Sequence, residues 1–132
     1  PTVKEWITSA KCVDNRKYPW GNQFPPLYGN LADLTCKREI GIVNGIKNYD
    51  DGYAVTCPVT ESSSNELGIY GLAGNVWEWC EDWYDPSNKY KVKLGASWDI
   101  DNPEQMEIEW RGFDRPENRD ATIGFRVVAA KK

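Results

Sequence analysis

Histidine is absent from all 132 residues. With it go the Ser-His-Asp triad, the Cys-His dyad and every His-ligated metal site, since each needs an imidazole nitrogen. No apolar run approaches the roughly 18 residues that read as a membrane span, so no membrane span is expected. No basic stretch leads into an apolar one, so the sequence as given shows no secretory leader. The four cysteines are Cys12, Cys36, Cys57 and Cys80, with no C-x-x-C or other zinc spacing and none beyond Cys80. Cys36 and Cys57 flank a loop expected to fold back on itself. A disulfide between them in an oxidising compartment and two buried reduced thiols both remain open.

Basic charge is also short. The chain carries 16 Lys and Arg against 20 Asp and Glu, for a net charge of -4, which argues against nucleic acid as a partner. The deficit is local. Residues 99–120 hold eight acids and three bases, and the remainder of the chain is close to neutral. Such a run is either a solvated face or a surface that selects cationic or polyhydroxylated partners.

What is present is aromatic. Seven Trp and seven Tyr within one domain's length, residues 1–132, argue for a folded core rather than disorder. Thr2 as N-cap, Glu5 three residues on, and apolar Val3, Trp6, Ile7 and Ala10 predict a helix ending near Lys11. Pro19, Gly21, Pro25, Pro26 and Gly29 make 18–30 a shaped loop, and Gly, Asn, Asp and Ser clusters leave little regular structure over 31–66. Short strands are predicted at 68–72, 77–83 and 123–128. The fold class is therefore α+β, rich in loops. Asn30, Asp51 and Glu78 sit near turns, where they serve as oxygen ligands for a hard cation or simply bond their own backbone.

Four segments, in order, carry a resemblance: Pro1-Thr2-x-x-Glu5-Trp6; Tyr18-Pro19-Trp20-Gly21-Asn22; Gly68 to Tyr84 with its Gly74-Asn75-Val76-Trp77-Glu78-Trp79 core; and Ile123-Gly124-Phe125-Arg126. Gly95-Ala96-Ser97-Trp98 adds a fifth. Together they resemble the formylglycine-generating enzyme, or sulfatase-modifying factor, family across essentially the whole chain. The resemblance implies a C-type-lectin-like α+β fold with one or two helices. It also implies that residues 1–132 correspond to the C-terminal part of a larger domain, so that an N-terminal half is a possible partner.

The family's calcium sites carry over in part. The first would use the Asn30 side chain, the Leu31 carbonyl, the Asp51 side chain and the Tyr53 carbonyl. The second would use residue 71, the Gly74 and Val76 carbonyls and the Glu78 carboxylate, but position 71, Asn or Asp in the family, is Gly here. One Ca²⁺ is expected, and a second only if Gly71 is tolerated. The copper-binding cysteine pair aligns with Pro103 and Ile108, and without thiolates no copper is expected. The three-His iron site of the related sulfoxide synthases is excluded within this chain.

The expectation is thus a non-catalytic pseudoenzyme that binds a protein or carbohydrate ligand, as in the variable proteins of diversity-generating retroelements. An extracellular or surface setting goes with it. Its binding residues would be Trp98, Asp99, Asp101, Glu107, Glu109, Trp110, Phe113, Asp114 and Arg115, on a rewritten active-site face. The alternative is an enzyme whose catalytic set lies in an N-terminal half.

Overall fold

A computed structural model describes residues 1–41 and 43–129. Helix α1 (Val3–Lys11) begins at the Thr2 cap, whose hydroxyl accepts from the Glu5 amide while the Glu5 carboxylate accepts from the Thr2 amide at 2.7 Å. Its buried residues Val3, Trp6 and Ala10 share one face, and that face packs on the sheet. Helix α2 (Leu34–Glu39) arises inside the stretch expected to be irregular. Asp33, fully buried, caps it by accepting from the Cys36 amide at 2.7 Å. Six residues are too few to show a helical apolar period, which is why the sequence concealed it.

The sheet has four strands, β1 (Trp77–Trp83), β2 (Lys91–Leu94), β3 (Gly112–Asp114) and β4 (Ile123–Gly124), in the order β3-β2-β1-β4. β1 and β2 are antiparallel, with Glu78 opposite Leu94 and an irregularity between Trp79 and Trp83. β2 and β3 are antiparallel with Val92 opposite Phe113, and β4 runs parallel to β1 with Trp77 opposite Ile123. Alternation along β1 divides the interior. Glu78, Cys80 and Asp82 turn toward α1, where Trp6 donates to Glu78 and the Val3 amide to Asp82. Trp77 turns the other way.

Two cores follow. One joins Val3, Trp6 and Ala10 to Leu72, Cys80, Val92, Leu94 and Ile108. The other packs Tyr18, Trp20, Leu31, Ile46, Ala73, Trp77, Ala96 and Met106. Burial of these side chains stabilises the fold at about 25 cal/mol per Å² of apolar surface removed from water.

Two expectations are corrected. Residues 68–72 form no strand, only an isolated bridge from Ser64 to Tyr70, because left-handed Gly68 and Gly71 bracket the segment. The strand predicted at 123–128 pairs only over Ile123–Gly124, beyond which Phe125 and Val127 are exposed. All four cysteines are free thiols, with Cys36, Cys57 and Cys80 buried. Burial pushes the Cys36 thiol up to about 11 and Cys80 up to about 12, so neither is a thiolate at neutral pH. Among the described residues, no helix is long and apolar enough to cross a membrane.

Candidate functional site

The segment after Trp98 wraps around the sheet and opens a groove of about 410 Å³ against it. Its walls are Trp77, Tyr84, Trp110 and Phe113, with Lys93, Arg111, Ile100 and Gln105 completing the lining. The rings are tilted rather than stacked: Trp77 and Trp110 lie 5.4 Å apart at 37°, Tyr84 and Phe113 4.3 Å apart at 31°. Tyr90 meets Phe113 edge-on at 5.4 Å. Phe113 is 48% exposed and Trp110 half-buried. The Lys93 ammonium lies 5.6 Å from the Trp77 ring and bonds Asp114 at 3.4 Å.

Of the nine residues assigned to this face from the sequence, the structure brings Trp110, Phe113 and Asp114 together at the groove. Trp98 lies in the interior at 8% exposure. The acids do not form a common ring. Glu107 pairs with Lys17 at 3.0 Å and Glu109 with Lys11, both beside the end of α1. Asp101 accepts from the Asn44 amide at 3.0 Å, Asp99 accepts from the Ser97 hydroxyl, and Arg115 is exposed. Three of the eight acids, Glu107, Glu109 and Asp114, pair with lysines distant in the chain, which linear sequence does not reveal. Tyr84, Lys93 and Arg111, which sequence reading missed, reach the groove through strand register and pairing.

The two positions that align with the copper thiols fare differently. Ile108 is 1% exposed and fills the first core. Pro103 starts a short 3-10 helix, Pro103–Met106, at the surface. Neither offers a soft donor, so these residues do not fit copper.

Two residues of the first oxygen site, Asn30 and Asp51, are each held by defined contacts. Asn30 is 1% exposed, and Gly74 runs so close that a Cβ there would lie 1.9 Å from the Asn30 carbonyl oxygen. The Asn30 amide nitrogen donates to the Val55 carbonyl at 2.8 Å and to Asn75 Oδ1 at 3.1 Å. Its Oδ1 is the one buried side-chain polar atom without a partner among the described residues. Asp51 holds the two loops together, accepting from the Leu31 amide at 2.9 Å and the Tyr53 amide at 3.0 Å. Burial pushes the Asp51 carboxyl up to about 7, with nearby Asp33 and Asp50 adding to the rise and the Leu31 amide opposing it. An orphan amide oxygen and a desolvated carboxylate are both hard donors, and this donor chemistry fits a calcium ion.

The second site does not. Arg126 Nε and Nη2 meet Glu78 Oε2 and Oε1 at 2.6 and 2.7 Å, and Trp6 Nε1 donates to Oε2 at 2.6 Å. Both carboxylate oxygens are engaged with a cation already present. Gly71 contributes no ligand, and a Cβ there would point toward Arg126 Nη2 at 3.8 Å.

Comparison with known proteins identifies the family and the fold. The family model described as the sulfatase-modifying factor enzyme 1-like domain matches residues 1–131. The formylglycine-generating enzyme of Thermomonospora curvata is 33% identical over 93% of this chain and 35% of its own length. The inactive Cα-formylglycine-generating enzyme 2 of Mus musculus is 32% identical over 98% of this chain and 42% of its own. Among solved structures, Treponema denticola variable protein 1 superposes with a TM-score of 0.72 at 24% identity, over 95% of this chain and 45% of that one. The chain thus spans less than half the length of the curated relatives it matches. It belongs to the sulfatase-modifying factor, or formylglycine-generating enzyme, family.

Proposed function

We propose that this chain is a non-catalytic binding module of the family, stabilised by one calcium ion at Asn30, Leu31, Asp51 and Tyr53. The observation that carries the reading is the fate of one segment. Where the family's copper thiols align, Ile108 is sealed into the core and Pro103 lies at the surface. The same segment supplies Trp110, Arg111 and Phe113 to an open aromatic groove. The inactive relative and the variable-protein fold neighbour support a scaffold retained without the chemistry.

The ligand is a protein segment that inserts an apolar or aromatic side chain, with an acid beside it for Arg111. Trp77, Tyr84, Trp110 and Phe113 give the groove aromatic walls suited to an apolar side chain, with Arg111 at its lining. Buried aromatic anchors with Arg at the edge are the usual composition of a binding hot spot. The calcium ion would cross-link the 30–31 and 51–53 loops and stabilise the fold by mass action.

Display selection of random peptides and a glycan array, run in parallel on wild type and Trp110→Ala, tests this. Enrichment of peptides pairing an acid with an apolar residue, lost in the variant, is expected. Binding confined to glycans would overturn the protein ligand. Conversion of a sulfatase-type cysteine peptide to its aldehyde by the copper-treated chain would overturn the non-catalytic reading.

A further inference from the structure

We propose that Asn75 is a positioning residue for the first cation site: its side chain fixes which way the Asn30 carboxamide faces. The inference rests on the calcium reading above for its purpose, but its geometry stands on separate contacts. Asn30 is buried with two acceptors on one side, the Val55 carbonyl and Asn75 Oδ1. Both take the Asn30 amide nitrogen, so Oδ1 is left facing away without a partner. Flipping the carboxamide would set its oxygen against two oxygens, and two unmade hydrogen bonds in a dry interior are costly.

Asn75 supplies both halves of that constraint. Its Oδ1 is one acceptor directly. The same oxygen also accepts from the Cys57 amide at 2.9 Å, which anchors the loop carrying Val55, the other acceptor. Its backbone amide donates to the Asn30 carbonyl at 2.7 Å, so main chain and side chain grip the same residue. The residue type follows from the backbone. At a φ of 68° position 75 is left-handed, where Asn, Asp and Gly are tolerated and β-branched residues are not. Of these, only Asn and Asp bring a side-chain acceptor.

Glycine and aspartate at position 75 test this without straining the turn, aspartate giving up only the 3.4 Å bond from Asn75 Nδ2 to the Cys57 carbonyl. Asn75→Gly deletes the acceptor, and Asn75→Asp keeps it. Calcium affinity by calorimetry and proton exchange of the Asn30 side-chain amide by NMR are read on both, with far-ultraviolet dichroism as the folding control. Removing a group that orients a metal ligand costs about 10- to 100-fold in affinity. Asn75→Gly is expected to lose that much calcium affinity and the exchange protection of the Asn30 amide, and Asn75→Asp to keep both. A role in stability alone would lower the melting temperature of Asn75→Gly and leave its calcium affinity intact, which overturns the proposal.

If wild type binds no calcium, the cation reading falls by itself. The NMR arm then decides Asn75: protection in wild type lost in Asn75→Gly upholds the orienting role, and protection retained overturns it. If Asn75→Gly does not fold, Asn75→Asp decides, and loss of protection or affinity there contradicts the proposal.

Discussion

Arg126 and Glu78 form a two-point ion pair, at 2.6 and 2.7 Å, between the segment after β4 and the start of β1. The carboxylate side chain is 8% exposed and the guanidinium 24%. Arg126 also donates to the Tyr70 carbonyl at 2.9 Å, so one side chain ties three segments together. Removing one partner of a buried pair costs about 3–5 kcal/mol, because the other charge stays behind unpaired. Arg126→Ala is therefore expected to lose about 3 kcal/mol in urea denaturation. Loss near zero would mean that the pair is solvent-screened.

Calcium stoichiometry follows from the contrast between the two oxygen sites. One ion per chain is expected by calorimetry, with a melting temperature that rises in millimolar Ca²⁺ and falls with chelator. Asp51→Asn should abolish the response and Glu78→Gln should leave it. Two ions per chain, or a melting temperature indifferent to Ca²⁺, would contradict the assignment.

Copper chemistry should be missing altogether. Restoring Cys at 103 and 108 together is not expected to recover it. Residue 108 is sealed into the core, and a thiol would be buried among apolar side chains. Aldehyde formation from a cysteine peptide, followed by mass spectrometry, is expected to stay at the no-protein level for wild type and double variant alike.

Acid sensitivity should include a contribution from Glu66. Hydrogen bonds from Arg16 hold its carboxyl down to about 2, below its ordinary value near 4.5. A depressed folded-state value means that the stabilisation is complete above the ordinary value and drains away as pH falls toward 2. Glu66→Gln should flatten the stability profile over that window. An unchanged profile would show that the exposed carboxylate contributes nothing in solution.

Legibility in the sequence divides by the range of the interaction. The Thr2–Glu5 capping box and the apolar face of α1 are local, and both were readable. So was β1, because its apolar and aromatic residues sit in a single motif. The short β2 and β3 were not, since each is held by cross-strand pairing to distant residues. Asn30 and Asp51 could be named before the fold was known, but only the fold shows that Asn30 Oδ1 is orphaned and that Asn75 takes the Asn30 amide nitrogen instead. The pairing of Glu78 with Arg126 could not be read either, because the two lie 48 residues apart. The same holds for the acidic run, whose charges are countable while the lysine partners of Glu107, Glu109 and Asp114 lie elsewhere in the chain.

Binding of a protein ligand by the groove walled by Trp110 and Phe113 is decided by titrating a display-selected peptide into wild type, Trp110→Ala and Phe113→Ala. Truncating a central aromatic of a binding hot spot costs about 2 kcal/mol or more, which is roughly a 30-fold rise in Kd. That loss is expected for Trp110→Ala with its fold intact by dichroism, and a smaller one for the more exposed Phe113→Ala. A Kd unchanged in both variants would place the binding surface elsewhere on the molecule.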